Sequence, residues 1–187
     1  MPHEPTREEA LALLMEYNQA ENLIHHALAV EGTMRHFASL YEGDVEKWGI
    51  VGLVHDLDYS LYPDQHCIKV RAILESRDWP EEYIRAVQSH GWGKCTEVKP
   101  ESDPEKVLYA IDELTGLIAS TALVRPSKSV LDVEVKSVKK KWKISGFAAG
   151  VDRELIENGA ALMGKDLDWV IAETIAGMKT VAKEIGL

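Results

Sequence analysis

Leu23, Ala27, Val30, Met34 and Phe37 follow one another at steps of four, three, four and three, which places all five on one face of a helix and leaves no strand reading. The same rhythm recurs along the chain. Thr6 and Glu9 have the spacing of a capping box ahead of LALLMEYN, so a helix starts there. A third helix is expected from near Asp44 through KWGIVGLVHDL, ending between Asp58 and Pro63, and Asp64 is placed to cap a fourth with Val70, Ile73 and Leu74 inward. Pro80 suits the first turn of a fifth helix, which Gly91 and Gly93 end. Ser102 and Glu105 repeat the capping box before the longest apolar helix, over 104–124, with Leu108, Ile111, Thr115, Ile118 and Ala122 on one face and Arg125-Pro126 as its stop. A Lys-rich helix near 132–142, a glycine-punctuated turn (SGFAAG) and two more helices follow. VLDVEVKSV comes closest to strand alternation, and one short strand makes no sheet. The expectation is an all-α fold.

At 187 residues the chain is the size of one domain, and its 45% hydrophobic residues suffice for a core. Thirty-one acidic against 21 basic residues give a formal charge of −10, which argues against general nucleic-acid binding through broad phosphate neutralisation. A small anion held by a few local cations is still compatible with that balance. No apolar run approaches the roughly 18 residues of a membrane span, and MPHEPTREEA has no signal-peptide core. Two cysteines, Cys67 and Cys95, are too few for a disulfide framework. A reduced, cytoplasmic setting is the expectation; the alternative is a single bridge in an oxidising compartment.

Ionisable residues then fall where apolar ones should. His26 stands three after Leu23 and four before Val30, within the stripe, whereas His25 points about 100° away. His55-Asp56 interrupts the apolar run Ile50, Val51, Leu53, Val54. Asp112 follows Leu108 by four and precedes Thr115 by three, while its neighbour Glu113 turns outward. His66 precedes Val70 by four, and His90 follows Val87 by three. Each alone reads most simply as a hydrogen-bonded core residue. Four histidines and two aspartates pointing into one core instead suit one or two divalent metal ions, through nitrogen and oxygen donors.

In this order the residues resemble the HD-domain superfamily of metal-dependent phosphohydrolases, and within it small bacterial HDIG-type proteins. NLIHHALAVEGTMRHFA is similar to that superfamily's first metal-ligand helix and GLVHDLDY to its signature helix. DQHCIKVRAIL resembles the segment after the signature, and AIDELTGLI the last Asp-bearing helix. The resemblance covers about 20–125, which leaves 126–187 as a C-terminal helical extension. It implies that His26, His55, Asp56 and Asp112 bind a first metal, and that His66 and His90 bind a second with Asp56 bridging. The ion is not specified among iron, manganese, zinc, cobalt and magnesium. The signature reads His55-Asp56-Leu57-Asp58 rather than His-Asp-Ile-Gly, so Asp58 is an extra carboxylate that could orient a water or cap the chain.

The implied activity is hydrolysis of a small phosphorylated molecule, a nucleotide or another phosphate ester, by metal-activated water. Asp56 or Asp58 would take the water's proton. Lys94, near His90, is a candidate phosphate contact. Lys136 and Lys140, which share a face with Lys143, would recruit phosphate if the basic run is more than a solvated face. Arg125 lies about 20 Å along its helix from Asp112 and is a poor direct contact. Cys95 is read as a loop thiol, with metal ligation as the alternative, and Trp92 as scaffold with base or sugar stacking as the alternative. Two other functions stay open, a di-iron oxygenase on the same fold and a metal-stabilised binding module without turnover. Leu162, Trp169, Ile175 and Met178 suggest a homodimer through the C-terminal helices.

Overall fold

A computed structural model describes residues 3–187. Among the described residues nine α-helices run Arg7–Tyr17 (α1), Glu21–Leu40 (α2), Val45–Val54 (α3), Lys69–Glu75 (α4), Glu81–Ser89 (α5), Asp103–Leu123 (α6), Val135–Trp142 (α7), Arg153–Leu162 (α8) and Leu167–Lys179 (α9). No strand occurs among the described residues, and VLDVEVKSV forms a 3₁₀ turn at Val130–Asp132 followed by α7. The fold is all-α. Among the described residues no helix is long and apolar enough to cross a membrane.

The capping logic holds at the start of the chain, where Thr6 and Glu9 bond reciprocally. Ala27, Val30, Met34 and Phe37 are buried along one face of α2. That face meets α3 on one side and α6 and α9 on the other. Val107, Leu108, Ile111, Leu114 and Ile118 bury the matching stripe of α6, so α2 and α6 are the two long struts of the core. Helices approach very closely at two glycines. A Cβ on Gly159 of α8 would stand 2.5 Å from Ala110 Cα in α6, and one on Gly177 of α9 would stand 2.6 Å from Thr33 Cα in α2. Val138, Ile156, Val170, Ile171, Ile175 and Met178 therefore join the same hydrophobic cluster as α2 and α6. The segment expected as an extension closes the core.

Of the four residues behind the dimer expectation, two are used inside the chain, while Leu162 and Trp169 stay half-buried. Ile175 and Met178 are buried within the chain, and the Trp169 ring stands edge-on to Phe37 at 5.8 Å between centroids. Two helix boundaries also differ from expectation. The third helix ends at Val54, and residues 55–61 follow as turns rather than as more helix. Asp64 does not cap the fourth helix: Pro63–Gln65 is a 3₁₀ turn, and Cys67, at φ 65°, breaks the path to Lys69. The physical cause is Asp58, whose carboxylate accepts from the backbone N–H groups of Cys67 (3.3 Å) and Val70 (2.8 Å) and draws this segment into a tight knot.

Candidate metal centre

His26 projects from the second turn of α2 and Asp112 from the middle of α6, the two struts. His55 caps the C-terminus of α3, with Asp56 next in the turn. Their donor atoms converge. His26 Nε2 is 3.1 Å from His55 Nε2, 3.0 Å from Asp112 Oδ1 and 3.5 Å from Asp56 Oδ2. His55 Nε2 is 3.4 Å from Asp56 Oδ2 and 3.2 Å from Asp112 Oδ1. Ligands bound at about 2.1 Å stand about 3.0–3.4 Å apart around a tetrahedral or octahedral ion, so the spacing fits a single cation.

A second group adjoins the first. Asp56 turns its other oxygen, Oδ1, to His66 Nε2 and His90 Nε2, at 3.4 Å from each. One carboxylate thus faces two nitrogen clusters with one oxygen apiece. The imidazoles are oriented from behind. His55 Nδ1 donates to Gly52 O at 2.7 Å, His90 Nδ1 donates to Val87 O, and His66 Nδ1 donates to Asp58 Oδ1 at 2.8 Å. With Nδ1 carrying the hydrogen, Nε2 is the free donor of each neutral ring, and all three Nε2 atoms face the cluster. The sets His26, His55, Asp56, Asp112 and Asp56, His66, His90 could each hold a metal ion.

Their electrostatics fit a site that binds cations. Burial opposes charge on His55, but Asp56 and Asp112 outweigh it and raise its pKa well above the ordinary imidazole value. Burial likewise opposes ionisation of Asp56 and Asp112, yet the surrounding imidazoles, His55 foremost, hold both well below the carboxylate range. In the metal-free chain protons compensate these carboxylates, and a divalent cation would take their place.

Asp58 has the structural one of its two expected roles. Its side chain is fully buried and both oxygens are engaged, by His66, Cys67 N and Val70 N. It therefore positions a candidate ligand and does not reach the cavity where a water would be deprotonated. Asp56 does reach it.

The centre opens into a cavity of about 560 Å³, whose walls include His26, Asp56, Tyr59, His66, His90, Lys94, Cys95, Asp112, Glu113 and, from beyond residue 125, Gly150, Val151 and Leu155. Lys94 is the cation of this wall, held by Glu113 at 2.9 Å and Asp152 at 3.2 Å. Glu113, expected outward, thus faces the cavity rim. Lys136 and Lys140 are elsewhere: they line a separate hollow of about 600 Å³ with Arg125 and Lys141. Packing of α7 against the far end of α6 puts them there, and Lys136 pairs with Glu134 at 2.8 Å. Their expected contact with substrate at the metal centre is corrected accordingly. Trp92 also faces away, stacked obliquely on Tyr109 beside a different depression.

The two cysteines, for which the sequence offered a single bridge only as an alternative, come together beside the centre. Cys67 Sγ lies 2.8 Å from Cys95 Sγ and 3.6 Å from His90 Nε2. The His66-Cys67 and His90-Gly91 neighbours hint at this, because a cysteine and a glycine each adjoin a candidate ligand. No protein-family model, curated protein or solved structure matches the chain.

Proposed function

We propose that the protein is a metal-dependent phosphohydrolase acting on a small phosphate ester, with nucleotides as one candidate class. The observation that carries this reading is Asp56, with one oxygen toward His26 and His55 and the other toward His66 and His90, beside an open cavity. A carboxylate shared in this way suits a pair of ions held by His26, His55, Asp56, Asp112, His66 and His90. When bound, such ions acidify water and neutralise charge on a phosphoryl group. The resemblance of GLVHDLDY and AIDELTGLI to HD-domain segments supports the same class.

The chain's own residues contribute orientation and charge. Asp58 fixes the His66 ring, and the carbonyls of Gly52 and Val87 fix His55 and His90. Of the two aspartates expected as proton acceptors, Asp56 is the one whose carboxylate lies at the cavity wall, and there it would hold the ions that acidify the water. Lys94 offers a positive group on that wall, tethered by Glu113 and Asp152 so that its position is preset.

The test is elemental analysis of protein purified anaerobically without chelator, beside Asp56→Ala, followed by parallel assays of phosphate release and oxygen uptake. One or two metal ions per chain, lost in the variant, with phosphate released from a panel of phosphate esters, is the expected result. Oxygen consumed with no phosphate released would replace the hydrolase by a di-iron oxygenase. Negligible metal after divalent ions are added back would remove catalysis at this centre.

A further inference from the structure

Cys67 and Cys95 are 28 residues apart in sequence, yet their sulfurs are 2.8 Å apart. Two sulfurs in ordinary van der Waals contact stay farther apart, and a disulfide needs only about 0.8 Å more approach. We propose that Cys67 and Cys95 form a redox-active dithiol that closes to a disulfide when a hydroperoxide enters the metal cavity.

Three features of the surroundings fit. Gly91 makes the space: a Cβ there would stand 2.3 Å from Cys95 Sγ and 2.5 Å from Cys67 Sγ, so only glycine lets both sulfurs lie against this backbone. Cys95 lines the cavity whereas Cys67 is fully buried, which gives one thiol access to a small oxidant and keeps its partner behind it. Cys67 is also anchored, its N–H donating to Asp58 and its carbonyl accepting from Gln88 Nε2 at 3.0 Å. Closure therefore falls on the Gly93–Cys95 turn, which carries Lys94 on the cavity wall.

Access assigns the attacking and the resolving sulfur: Cys95 stands at the cavity wall, and Cys67 is buried behind it. In the first step the Cys95 sulfur attacks one oxygen of the peroxide, the O–O bond breaks, and the other oxygen leaves as hydroxide that takes up a proton. The product is a sulfenic acid. The Cys67 sulfur then attacks the Cys95 sulfur, the S–O bond breaks, and hydroxide departs with the Cys67 proton as water. Two thiols and one hydrogen peroxide become one disulfide and two waters, with two electrons passing from sulfur to oxygen. This chemistry stands whichever reaction the metal centre runs.

Intact-mass analysis of the full chain after one equivalent of hydrogen peroxide, with thiol alkylation before and after a dithiol reductant, reads the outcome directly. Free thiols should fall from the two of the resting chain to none, with the loss of two hydrogen masses, and return on reduction. Cys67→Ser should stop at a sulfenic acid on Cys95 that a 1,3-diketone traps, and Cys95→Ser should not react on the same timescale. Both serine variants keep the side-chain size, and their helical circular dichroism reports folding. Two alkylatable thiols persisting after peroxide, or separate over-oxidation of each sulfur without a cross-link, overturns the proposal. Absence of the cross-link together with a sulfur-to-cobalt absorption band in Co²⁺-loaded protein, lost in Cys67→Ser, would make the pair metal ligands instead.

Discussion

His55 is fully buried, and it lies 3.2 Å from Asp112 and 3.4 Å from Asp56. A neutral ring would be cheaper to bury, so its raised pKa measures how strongly the two carboxylates need a positive neighbour. Because the folded value exceeds the unfolded one of about 6.5, this contribution to stability is complete below about pH 6.5 and is lost as pH rises through the folded pKa. Asp56 and Asp112 act in the opposite sense. Their depressed values stabilise the fold above about pH 4, and that contribution is lost as pH falls through the folded pKa. In chelator, the melting temperature should therefore decline on the alkaline side of about pH 6.5. A saturating divalent cation should flatten that decline, because it replaces the proton as the carboxylates' partner. Melting curves across pH, with and without metal, check this. An alkaline limb unchanged by metal would mean that the cation does not bind between these groups.

At the scale of elements, the centre depends on how closely the helices can approach. Gly159 lets α8 press against Ala110, two residues before Asp112 on α6, and Leu155 of α8 reaches the cavity wall. In Gly159→Ala the new methyl meets backbone that cannot turn aside, so the helices must separate at a cost of about 1–3 kcal/mol. For a chain of this length that lowers the melting temperature by about 2–12 °C. Thermal unfolding would measure it, and an unchanged midpoint would mean that α8 is not seated on α6. Such contacts are hard to read from sequence, since Gly159 sits in an ordinary helical stretch with its partner far back in the chain. The long elements were legible because caps and apolar stripes are local: Thr6 with Glu9, and Ala27 to Phe37. The end of α3 was not. It is set by Asp58 reaching nine and 12 residues ahead to Cys67 and Val70, a bond between segments that no periodicity reports. The six inward ionisable residues were visible as breaks in apolar faces, although only His26 and Asp112 lie within helices. The sulfur pair entered only as an alternative, because neither cysteine disturbs a pattern and nothing local reports contact across 28 residues.

Across the whole molecule, charge is distributed in a way that separates two functions the sequence left mixed. The basic run that stands out in a chain of net charge −10 lies at the far end of α6, where Lys136 and Lys140 share a hollow with Arg125. At the candidate centre the count is different. Asp56 and Asp112 are met by histidines, and Lys94 is outnumbered by Glu113 and Asp152. Without metal, protons on the imidazoles only balance Asp56 and Asp112, and the carboxylates beside Lys94 leave no positive excess to hold a phosphate group. Two divalent ions would add four positive charges against the two carboxylates among their ligands and supply that excess. Inorganic phosphate should thus bind at the centre only after metal, which isothermal titration of the metal-free and metal-loaded chain would resolve. Lys94→Ala should raise KM by roughly tenfold, the equivalent of about 1.4 kcal/mol for one exposed charged hydrogen bond, with little change in metal content. Lys136→Ala with Lys140→Ala should leave KM within about twofold, since a surface cation distant by more than a Debye length of about 8 Å is largely screened at physiological salt. If the double variant raised KM and Lys94→Ala did not, substrate would be recruited through the α7 hollow, and the direction of approach to the centre would have to be redrawn from that end of α6.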